Sequence, residues 1–456
     1  MNPGIAADPV FQAPFITPPA ERLGFLEAIR AIMRNPIEVW PQEFYRTGYM
    51  RGRFGRRTVV HVARPDLIHA VFVEEARSLH RSDIAQAILK PAMREGLLTA
   101  EDEVWRAQRR IAAPAFRQQM LDSLVPLMDK AGDALAERLK ARRGQAVNVM
   151  PEMIRATFSI ISDTMFGETR EEDARLIETE VGGYLSSVGK VDLFDMFGVP
   201  YWVPRPWKRA GKLAVKRLRA RAERSIADLR AKGATGGSLT ALLMNASDPE
   251  TGGAMSEDQL IDNIITFIGA GHETTSLALT WSLYLVAQQP NLQKRLADEV
   301  HAVAGQGPIL AEHVARLELH ERVLKEAMRL YPPVALIGRK VVKPMTLNGD
   351  ALRPGDQVVC GVLPLHRSPT LWENPDAFDP DRFLPERSAG RPRYAWMPFG
   401  AGPRICIGMG FAMMEGIVLL AHMMRAVRFA PVDGHEVKPV VRVTMRPRGG
   451  MPLKVA

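Results

Sequence analysis

A glycine-rich segment that leads into an apolar helix constrains the fold of this chain more than any other feature. The segment reads FGAGPRICIG, from Phe399 to Gly408, and contains Cys406, one of only two cysteines in 456 residues. Gly400 and Gly402 permit tight or left-handed turns before the cysteine, and the residues that follow have the apolar spacing of a helix. We therefore expect Cys406 at a helix N-terminus, where free amides and the helix dipole favour a thiolate.

Three roles are open to such a cysteine. It could be a nucleophile, which would want a histidine base nearby in space. It could be a ligand of haem iron, for which one thiolate suffices, or simply a small buried hydrophobic side chain. Because Cys360 is the only other cysteine, a disulfide framework and a multi-cysteine zinc site are excluded.

Composition indicates a soluble globular protein with a large core, since 46% of the residues are hydrophobic and 24% are charged. The net charge of +9 fits nucleic acid, an anionic membrane, an acidic protein partner or a scattered solvated surface. No basic tail concentrates the charge, so nucleic-acid binding is not expected. No signal peptide and no stretch of about 18 apolar residues is visible, which predicts a cytoplasmic protein without a membrane anchor.

The pattern along the chain predicts a mainly α protein with a minor β portion, an α+β fold in one domain over residues 1–456. Residues 1–20 are rich in proline and are expected to be extended. The alternating segment 51–66 predicts a pair of strands. Residues 104–289 are mostly helical in pattern, interrupted by the proline-rich loop Phe197–Trp207.

Two further predictions concern local structure. The tail VTMRPRGGMPLKV predicts a hairpin that turns at Gly449 and Gly450. Within the long central helix, Gly271 is locally unfavourable and Thr274 can bond to a carbonyl one turn earlier, which predicts a local distortion.

The central helix carries two stripes at helical spacing. The first is expected to face the core and consists of Ile261, Ile264, Ile265 and Ile268. The second is made mostly of small side chains, so that a flat ligand could approach it, and consists of Phe267, Ala270, Gly271, Thr274 and Ala278.

The segment FGAGPRICIG resembles the haem-binding signature of the cytochrome P-450 family, the haem-thiolate monooxygenases, which reads F-x-x-G-x-R-x-C-x-G. The matching residues are Phe399, Gly402, Arg404, Cys406 and Gly408. The resemblance implies that Cys406 is the axial ligand of the iron, that Arg404 pairs with a haem propionate and that Phe399 packs near the sulfur. It also implies a helix-rich prism with the haem between the long central helix and the cysteine-loop helix.

The segment AGHETT, which begins at Ala270, resembles the oxygen-binding motif of the same family. The resemblance implies that Glu273 and Thr274 are an acid–alcohol pair that relays protons, with Ala270 beside the haem. The chemistry needs two protons at one oxygen atom, so a carboxylate and a hydroxyl are suitable groups. His272 is not expected to be an iron ligand.

Glu326 and Arg329 in KEAMRLYPP lie three residues apart, on one helical face. Taken alone, they could be a surface ion pair of little energetic value. The spacing also resembles the family's E-x-x-R motif, and PDRF then supplies Arg382 as the third member of a buried Glu-Arg-Arg triad. The resemblance implies a structural role for all three.

Further cations are candidates for haem binding. WRAQRR resembles the family's W-x-x-x-R helix, in which Trp105 and Arg109 contact the haem propionates, and Arg339 occupies a position that often does the same. Two carboxylates beside the iron require such donors.

The resemblance implies a b-type haem (iron protoporphyrin IX) and insertion of one oxygen atom from O2 into a lipophilic small molecule. Only 50 residues follow Cys406, so no fused reductase domain is expected, and electrons would come from NAD(P)H through a ferredoxin and its reductase, or a flavodoxin. We expect a monomer of the soluble bacterial type. Candidate docking residues are Arg106, Arg110 and Arg117.

The substrate pocket is expected to be apolar. Its predicted lining comprises Phe267, Ala270, Val334, Leu336 and Ile337, together with the region before Leu97 and the loop after Phe197. A fatty acid or a terpenoid is the favoured substrate, while steroids and aromatic compounds remain open.

Three other functions remain open at this point. A peroxygenase would use hydrogen peroxide, and such relatives usually lack the acid–alcohol pair. A haem-binding gas sensor or electron carrier would not need a proton relay beside a pocket. An isomerase or dehydratase would use the same fold without reductants.

Overall fold

The computed structural model describes residues 8–167, 209–231 and 237–456, together with residues 179, 180, 182–184, 203, 205 and 233. The predicted loop Phe197–Trp207 lies almost entirely outside the described residues. Helices dominate what is described. The α-helices are α1 (Phe25–Arg34), α2 (Gln42–Thr47), α3 (Pro65–His69), α4 (Asp83–Met93), α5 (Asp102–Ala112), α6 (Gln118–Lys140), α7 (Val149–Phe166), α8 (Arg209–Ala231), α9 (Leu239–Asn245), α10 (Glu257–Ala287), α11 (Pro290–Ala304), α12 (Ala311–Val314), α13 (Glu318–Leu330), α14 (Val362–His366), α15 (Pro385–Ser388) and α16 (Met409–Ala426).

The strands are short and form a minor part of the fold, as predicted. They are β1 (Tyr49–Phe54), β2 (Arg57–Val62), β3 (Leu79–Arg81), β4 (Ala146–Asn148), β5 (Leu336–Val341), β6 (Met345–Leu347), β7 (Asp350–Leu352), β8 (Gln357–Gly361), β9 (Phe429–Pro431), β10 (Pro439–Val441), β11 (Met445–Pro447) and β12 (Pro452–Val455). The main sheet has the order β1-β2-β8-β5-β3. β1 and β2 form the predicted antiparallel pair, and β2 pairs with β8 in parallel.

The long helix α10 lies in the core and packs against α7. It begins with a capping box, in which the Ser256 hydroxyl accepts a hydrogen bond from the Gln259 amide and the Gln259 side chain accepts one from the Ser256 amide. The predicted isoleucine stripe of this helix is buried. The predicted distortion is wrong, because α10 is helical without interruption from Glu257 to Ala287. Gly271 lies against α7 so closely that a Cβ there would be 3.1 Å from Ile161, and this packing supports the helix where glycine alone would weaken it.

The predicted C-terminal hairpin is also wrong. Gly449 and Gly450 do turn the chain, with φ of 84° and 94°. The strands on either side of the turn nevertheless pair elsewhere, β11 with β10 and β12 with β4 and β9. The reason is that β12 finds a partner on both of its edges, which satisfies more backbone groups than a two-stranded hairpin would.

One helix among the described residues, α16, has the length and apolar composition of a membrane-spanning helix, contrary to the expectation that no segment would. Of this stretch, 67% is buried inside the structure, and the helix packs against α6. This burial is typical of the core helix of a globular protein.

Candidate active site

A cavity of about 870 Å³ lies between α10 and the segment that carries Cys406. Phe267, Ala270 and Thr274 of α10 form part of its wall, and Phe399 and Cys406 form another part. The second stripe of α10 therefore borders open space, as the small side chains predict. The volume is in the range of about 300–1,000 Å³ that is usual for ligand sites.

The turn before Cys406 depends on glycine. Gly402 has φ of 68°, and a Cβ there would lie only 1.9 Å from the carbonyl oxygen of Phe72. The turn closes with a hydrogen bond of 2.9 Å from the Cys406 amide to the Phe399 carbonyl. Any side chain at position 402 would push the cysteine segment away from the Phe72 backbone.

The helix after the cysteine starts later than predicted, since α16 begins at Met409. Burial raises the pKa of the Cys406 thiol, and the Gly408 amide and the Arg109 guanidinium counteract part of that rise. The amide of Gly408 therefore offsets only part of the rise in the pKa of this thiol, which is exposed to the cavity, and gives limited support to a thiolate. A positive partner such as a metal ion is needed to favour it.

Several cations gather at one edge of the cavity. Arg81 of β3 lies directly opposite Arg339 of β5, and both line the cavity with Arg404. Burial and the neighbouring arginines lower the pKa of Arg81 to about 9 and that of Arg339 to about 10. Like charges placed opposite each other are destabilising. A bound anion would reduce the repulsion among these arginines and stabilise the cluster.

Arg81 is a member of this cluster that sequence reasoning missed. Its Nε is buried and has no hydrogen-bond partner among the described residues. The two carboxylates of a haem would supply that partner, and the arrangement of a thiol in the cavity wall with cations at one edge fits a haem. In the sequence, Arg81 is an isolated arginine outside the recognised motifs, and nothing distinguishes it from the many other arginines.

The remaining predicted propionate donors also line the cavity. Trp105 and Arg109 come from α5, and the Arg404 guanidinium lies 4.4 Å from the centre of the Trp105 ring. Arg404 donates to the carbonyl of Ala100 (2.9 Å) and pairs with the Glu101 carboxylate. Glu101 thus partly neutralises Arg404, and pairing of Arg404 with a propionate stays a prediction.

The acid and alcohol of α10 both line the cavity but have different partners. The Thr274 hydroxyl donates to the Ala270 carbonyl (3.0 Å), the bond one turn back that the sequence predicted. The buried Glu273 carboxylate accepts hydrogen bonds from Thr444 (2.9 Å) and from Arg446. Sequence reasoning missed Thr444 and Arg446, which lie more than 160 positions away and are brought to Glu273 by the C-terminal strands.

His272 points away from the cavity. It is buried, its Nδ1 lies 2.7 Å from the Ile268 carbonyl oxygen, and its ring packs edge-on against Phe158. This position agrees with the expectation that His272 is not an iron ligand.

Behind α10, α16 carries a carboxyl group that the sequence analysis did not single out. Glu415 is fully buried, and neither of its oxygens makes a hydrogen bond within the described part of the chain. The Thr275 hydroxyl, which faces it, donates instead to the Gly271 carbonyl (3.3 Å). Burial raises the pKa of Glu415 well above its ordinary value, which favours the uncharged form of the side chain.

The three residues of the predicted triad come together. Both carboxylate oxygens of Glu326 accept from Arg329 at 2.7 Å, and one also accepts from Arg382 at 3.2 Å. Glu326 and Arg329 are completely buried, so the alternative of a surface ion pair is excluded. Their predicted structural role stays a prediction that mutation can test.

The predicted pocket residues also line the cavity. Val334, Leu336 and Ile337 do so beside Phe267 and Ala270. The region before Leu97 contributes through Met93.

The three candidate docking arginines differ in their surroundings. Arg110 is bound by Asp248 at 2.6 and 2.7 Å and by Glu250 at 3.1 Å. Arg106 pairs with Glu103 on its own helix, whereas Arg117 is exposed. Since Arg110 is already neutralised by two acids, it is unsuited to the docking role that the sequence suggested.

A cysteine at the wall of an apolar cavity, a glutamate and a threonine on the long helix and a cluster of arginines at the edge fit a haem-thiolate oxidoreductase. Comparison with known proteins agrees with this class. The family model described as Cytochrome P450 matches residues 31–453. The chain belongs to the cytochrome P450 family.

Two relatives are about one third identical to this chain over the aligned residues. Cyclooctatin synthase of Streptomyces melanosporofaciens is 33% identical over 85% of this chain and 84% of its own length. A cytokinin hydroxylase of Arabidopsis thaliana is 34% identical over 82% of this chain and 74% of its own length. Among solved structures, the haem domain of cytochrome P450DA superimposes with a TM-score of 0.81 at 26% identity and covers 90% of this chain and 89% of that one.

The protein therefore has the cytochrome P450 fold and is a P450 monooxygenase. Membership of the family implies a haem cofactor, O2, a substrate, and electrons that derive from NAD(P)H through a redox partner.

Proposed function

We propose that this monooxygenase hydroxylates a lipophilic small molecule, a fatty acid or a terpenoid, with electrons from a ferredoxin. The observation that carries the proposal is the cavity of about 870 Å³, whose largely apolar wall extends from Cys406 to Thr274 and on to Met33 near the surface. The haem would occupy part of this volume, and the apolar wall of the remainder selects apolar ligands by the hydrophobic effect. A relative named cytokinin hydroxylase supports hydroxylation as the reaction.

We propose haem b as the cofactor, with Cys406 as the iron ligand and with Trp105, Arg109, Arg339 and Arg81 as the groups that hold its carboxylates. When bound, the haem supplies activation of O2, and a thiolate ligand donates electron density that favours O–O cleavage. Gly408 lies beside the sulfur, since a Cβ built there would be 4.0 Å from the Cys406 sulfur, in ordinary van der Waals contact.

Protons reach the cavity through Thr274 and Glu273 in this proposal. The Thr274 hydroxyl can rotate away from the Ala270 carbonyl and donate into the cavity, because that bond is an addition to an intact helical ladder. The Glu273 carboxylate is fixed by Thr444 and Arg446, and Arg446 is 35% exposed. Glu273 can therefore exchange protons with water on the side of the C-terminal strands.

Labelled dioxygen tests the proposal. The purified protein is first screened with fatty acids and terpenoids for the spectral change that marks loss of iron-bound water. A compound that gives this change should then yield a hydroxylated product containing one labelled oxygen, in step with NAD(P)H consumption. A hydroxylated product that forms only with added peroxide and carries no label from dioxygen would favour a peroxygenase. A product formed without electrons would favour an isomerase or dehydratase, and binding without any product would favour a sensor or carrier.

The ferredoxin is proposed to dock beside the cysteine segment. Three large apolar side chains are exposed there, on the segments that surround the cysteine, namely Val73 (38%), Val104 (42%) and Met409 (39%). Arg117, at the start of α6, is exposed and forms no ion pair with a residue that the structure describes, and ferredoxins are acidic, so charge and apolar contact would act together.

Charge reversal tests the docking site. Arg117→Glu should slow turnover supported by a ferredoxin by about tenfold at low salt, with less effect at high salt, since exposed charges are screened. Arg316→Glu, a change at another exposed arginine, is the matched control and should have little effect. Equal rates for Arg117→Glu and the unchanged protein at every salt concentration would refute the docking site. This outcome would leave the proposed hydroxylation reaction unaffected.

A further inference from the structure

We propose that His61 of β2 and Gln357 of β8 form a subsite in the cavity wall that binds an uncharged oxygen atom of the substrate. We call this pair of residues the polar subsite. The inference rests on the proposed function and narrows its substrate class to lipophilic molecules that carry an alcohol, ketone, ether or ester group. A free fatty acid is thereby disfavoured.

The strand register places both side chains on one face of the main sheet. His61 is aligned with Val359, and Gln357 is aligned with Val59. All four residues line the cavity, whereas Val60, which points to the other face, is completely buried. Adjacent strands lie about 4.8 Å apart and two residues span about 6.6 Å, so the Cα atoms of His61 and Gln357 are about 8 Å apart. Two side chains of this length can reach the same group of a ligand.

His61 is oriented as a hydrogen-bond donor. The indole N–H of Trp40 donates to its Nδ1 at 3.0 Å, and because Nδ1 accepts, the neutral ring carries its proton on Nε2. Trp40 is buried and stacks on Phe44, which fixes this orientation. Burial lowers the pKa of His61 to about 4, so the ring is neutral near pH 7. No residue that the structure describes accepts a hydrogen bond from Nε2.

Gln357 provides the second donor. Its Nε2 is buried and has no hydrogen-bond partner within the described part of the chain. Leaving a buried amide unpaired costs free energy, and folded proteins contain few such groups. An oxygen atom of a bound substrate would accept from Gln357 and from His61, and would satisfy both donors at once.

The charges around the polar subsite favour an uncharged oxygen. The nearby cations are Arg57 and Lys340, and both already pair with the Asp83 carboxylate at 2.9 Å. Asp83 also lines the cavity, so a second carboxylate would be repelled by it. The donors that remain unengaged are neutral and compensate poorly for the lost hydration of a carboxylate, whereas an alcohol or carbonyl oxygen loses less on burial.

The polar subsite lies away from the cysteine segment. Ile337 is beside that segment, since a Cβ on Gly400 would be 3.8 Å from the Ile337 side chain. Gln357 is aligned with Lys340, three residues further along β5. At about 3.4 Å per residue, this places Gln357 about 10 Å from the contact with the cysteine segment. A substrate held by its oxygen therefore presents a carbon remote from that oxygen to the Cys406 end of the cavity.

Equilibrium dialysis of the holoprotein with matched ligands tests the proposal. One series has a straight chain and consists of decane, decanol and decanoate. The other is isoprenoid and consists of farnesene, farnesol and farnesoate. Within a series the hydrocarbon part is the same and the end group differs. The alcohols should bind at least about tenfold tighter than the carboxylates.

Variants assign this preference to the polar subsite. Gln357→Leu keeps the size of the side chain and removes its amide, so it should weaken alcohol binding by about fivefold to tenfold without weakening hydrocarbon binding. His61→Phe should act in the same direction, whereas His61→Gln retains a donor and should keep most of the affinity. The matched control is Thr164→Val, because the Thr164 hydroxyl of α7 also lines the cavity and also lacks a partner among the described residues. It should leave the ratio of alcohol to hydrocarbon affinity unchanged.

Four results would overturn the polar subsite. They are equal effects of Gln357→Leu on alcohols and hydrocarbons, tighter binding of carboxylates than of alcohols, no binding of any compound, and loss of the ratio in Thr164→Val instead. The last result would assign the oxygen to α7. The proposed function fails separately, when an alcohol binds with the predicted preferences but yields no hydroxylated product labelled from dioxygen.

Discussion

At the scale of single residues, the site is distinguished by ionisable groups that the protein surrounds at the cavity, into which the Cys406 side chain is exposed. Cys406 and Arg339 both have pKa values shifted by burial in the direction that disfavours their charged forms. Burying the charged form of such a group costs free energy unless a partner of opposite charge binds to it. The site therefore favours binding of a ligand that is positive at its centre and negative at one edge.

Thr274 carries the first residue-scale prediction. Replacement by alanine removes the hydroxyl that can donate a proton into the cavity, so product should fall by about a hundredfold while NAD(P)H is still consumed and peroxide is released. The ratio of product to NAD(P)H measures this loss of coupling. Thr274→Ser keeps the hydroxyl and should keep most of the coupling. Full coupling in the alanine variant would remove Thr274 from the proton route.

Glu415 gives a prediction about pH. Its pKa is raised in the folded protein, so above the ordinary pKa of a glutamate the folded state holds a proton that the unfolded chain releases, and stability falls as pH rises. The Glu415→Gln variant has no ionisable carboxyl group at this position, so its stability should not fall with pH for this reason. It should be more stable than the unchanged protein by at least about 1 kcal/mol near pH 8 and nearly equal to it near pH 4.

Guanidinium unfolding followed by circular dichroism at both pH values measures the effect. Glu312→Gln, at an exposed glutamate, should behave like the unchanged protein at both. A difference between Glu415→Gln and the unchanged protein that does not grow with pH would mean that Glu415 is ionised in the folded state.

Motif residues could be anticipated from sequence, but most of their partners could not. Glu273 and Thr274 are adjacent in a recognisable motif, whereas Arg446 and Thr444 meet Glu273 only because the C-terminal strands return to α10. Arg81 likewise becomes significant only when β3 pairs with β5. Contacts across such sequence distances are set by tertiary packing, which local patterns do not encode.

At the scale of elements, the buried triad joins α13 to the loops that follow it. Arg329 donates to the carbonyls of His366, Pro375 and Ala377 as well as to Glu326. One guanidinium therefore fixes three backbone positions at once. Removing its carboxylate partner would leave two buried cations without compensation.

Glu326→Gln tests this element. Loss of one partner from a buried charged network should lower the free energy of unfolding by about 3–5 kcal/mol, measured by denaturant unfolding of the holoprotein. Asp298→Asn breaks an exposed pair with Lys294 on α11 and should cost less than about 1 kcal/mol. Equal effects of the two changes would show that burial of the triad contributes nothing to stability.

The turn at Gly449 and Gly450 shows that a turn motif in the sequence does not determine which strands pair. Gly449 and Gly450 have the dihedral angles of a turn, yet the flanking strands pair with β10, β4 and β9 instead of each other. A turn fixes the direction of the chain locally, but short strands pair with whichever neighbours satisfy the most backbone groups. The antiparallel pair β1–β2 was predictable because its six-residue strands and its tight turn are local.

At the scale of the whole molecule, one cavity connects the cysteine segment, the central helix α10, helix α1 and the β1–β2 hairpin. The fold was predictable because its strongest motifs identify a family, and the observed cytochrome P450 architecture confirms it. Substrate choice was not predictable, since it depends on side chains from many distant segments that together shape one apolar space.

The proposed function requires Cys406 to be the ligand of a haem iron, and the spectrum of the reduced protein under carbon monoxide tests this most directly. The unchanged protein should show the red-shifted Soret band of a thiolate-bound haem, and Cys406→Ser should lose it. Cys360→Ser, at the buried cysteine of β8, should retain the band. Absence of the band from the unchanged protein, or its survival in Cys406→Ser, would contradict the account.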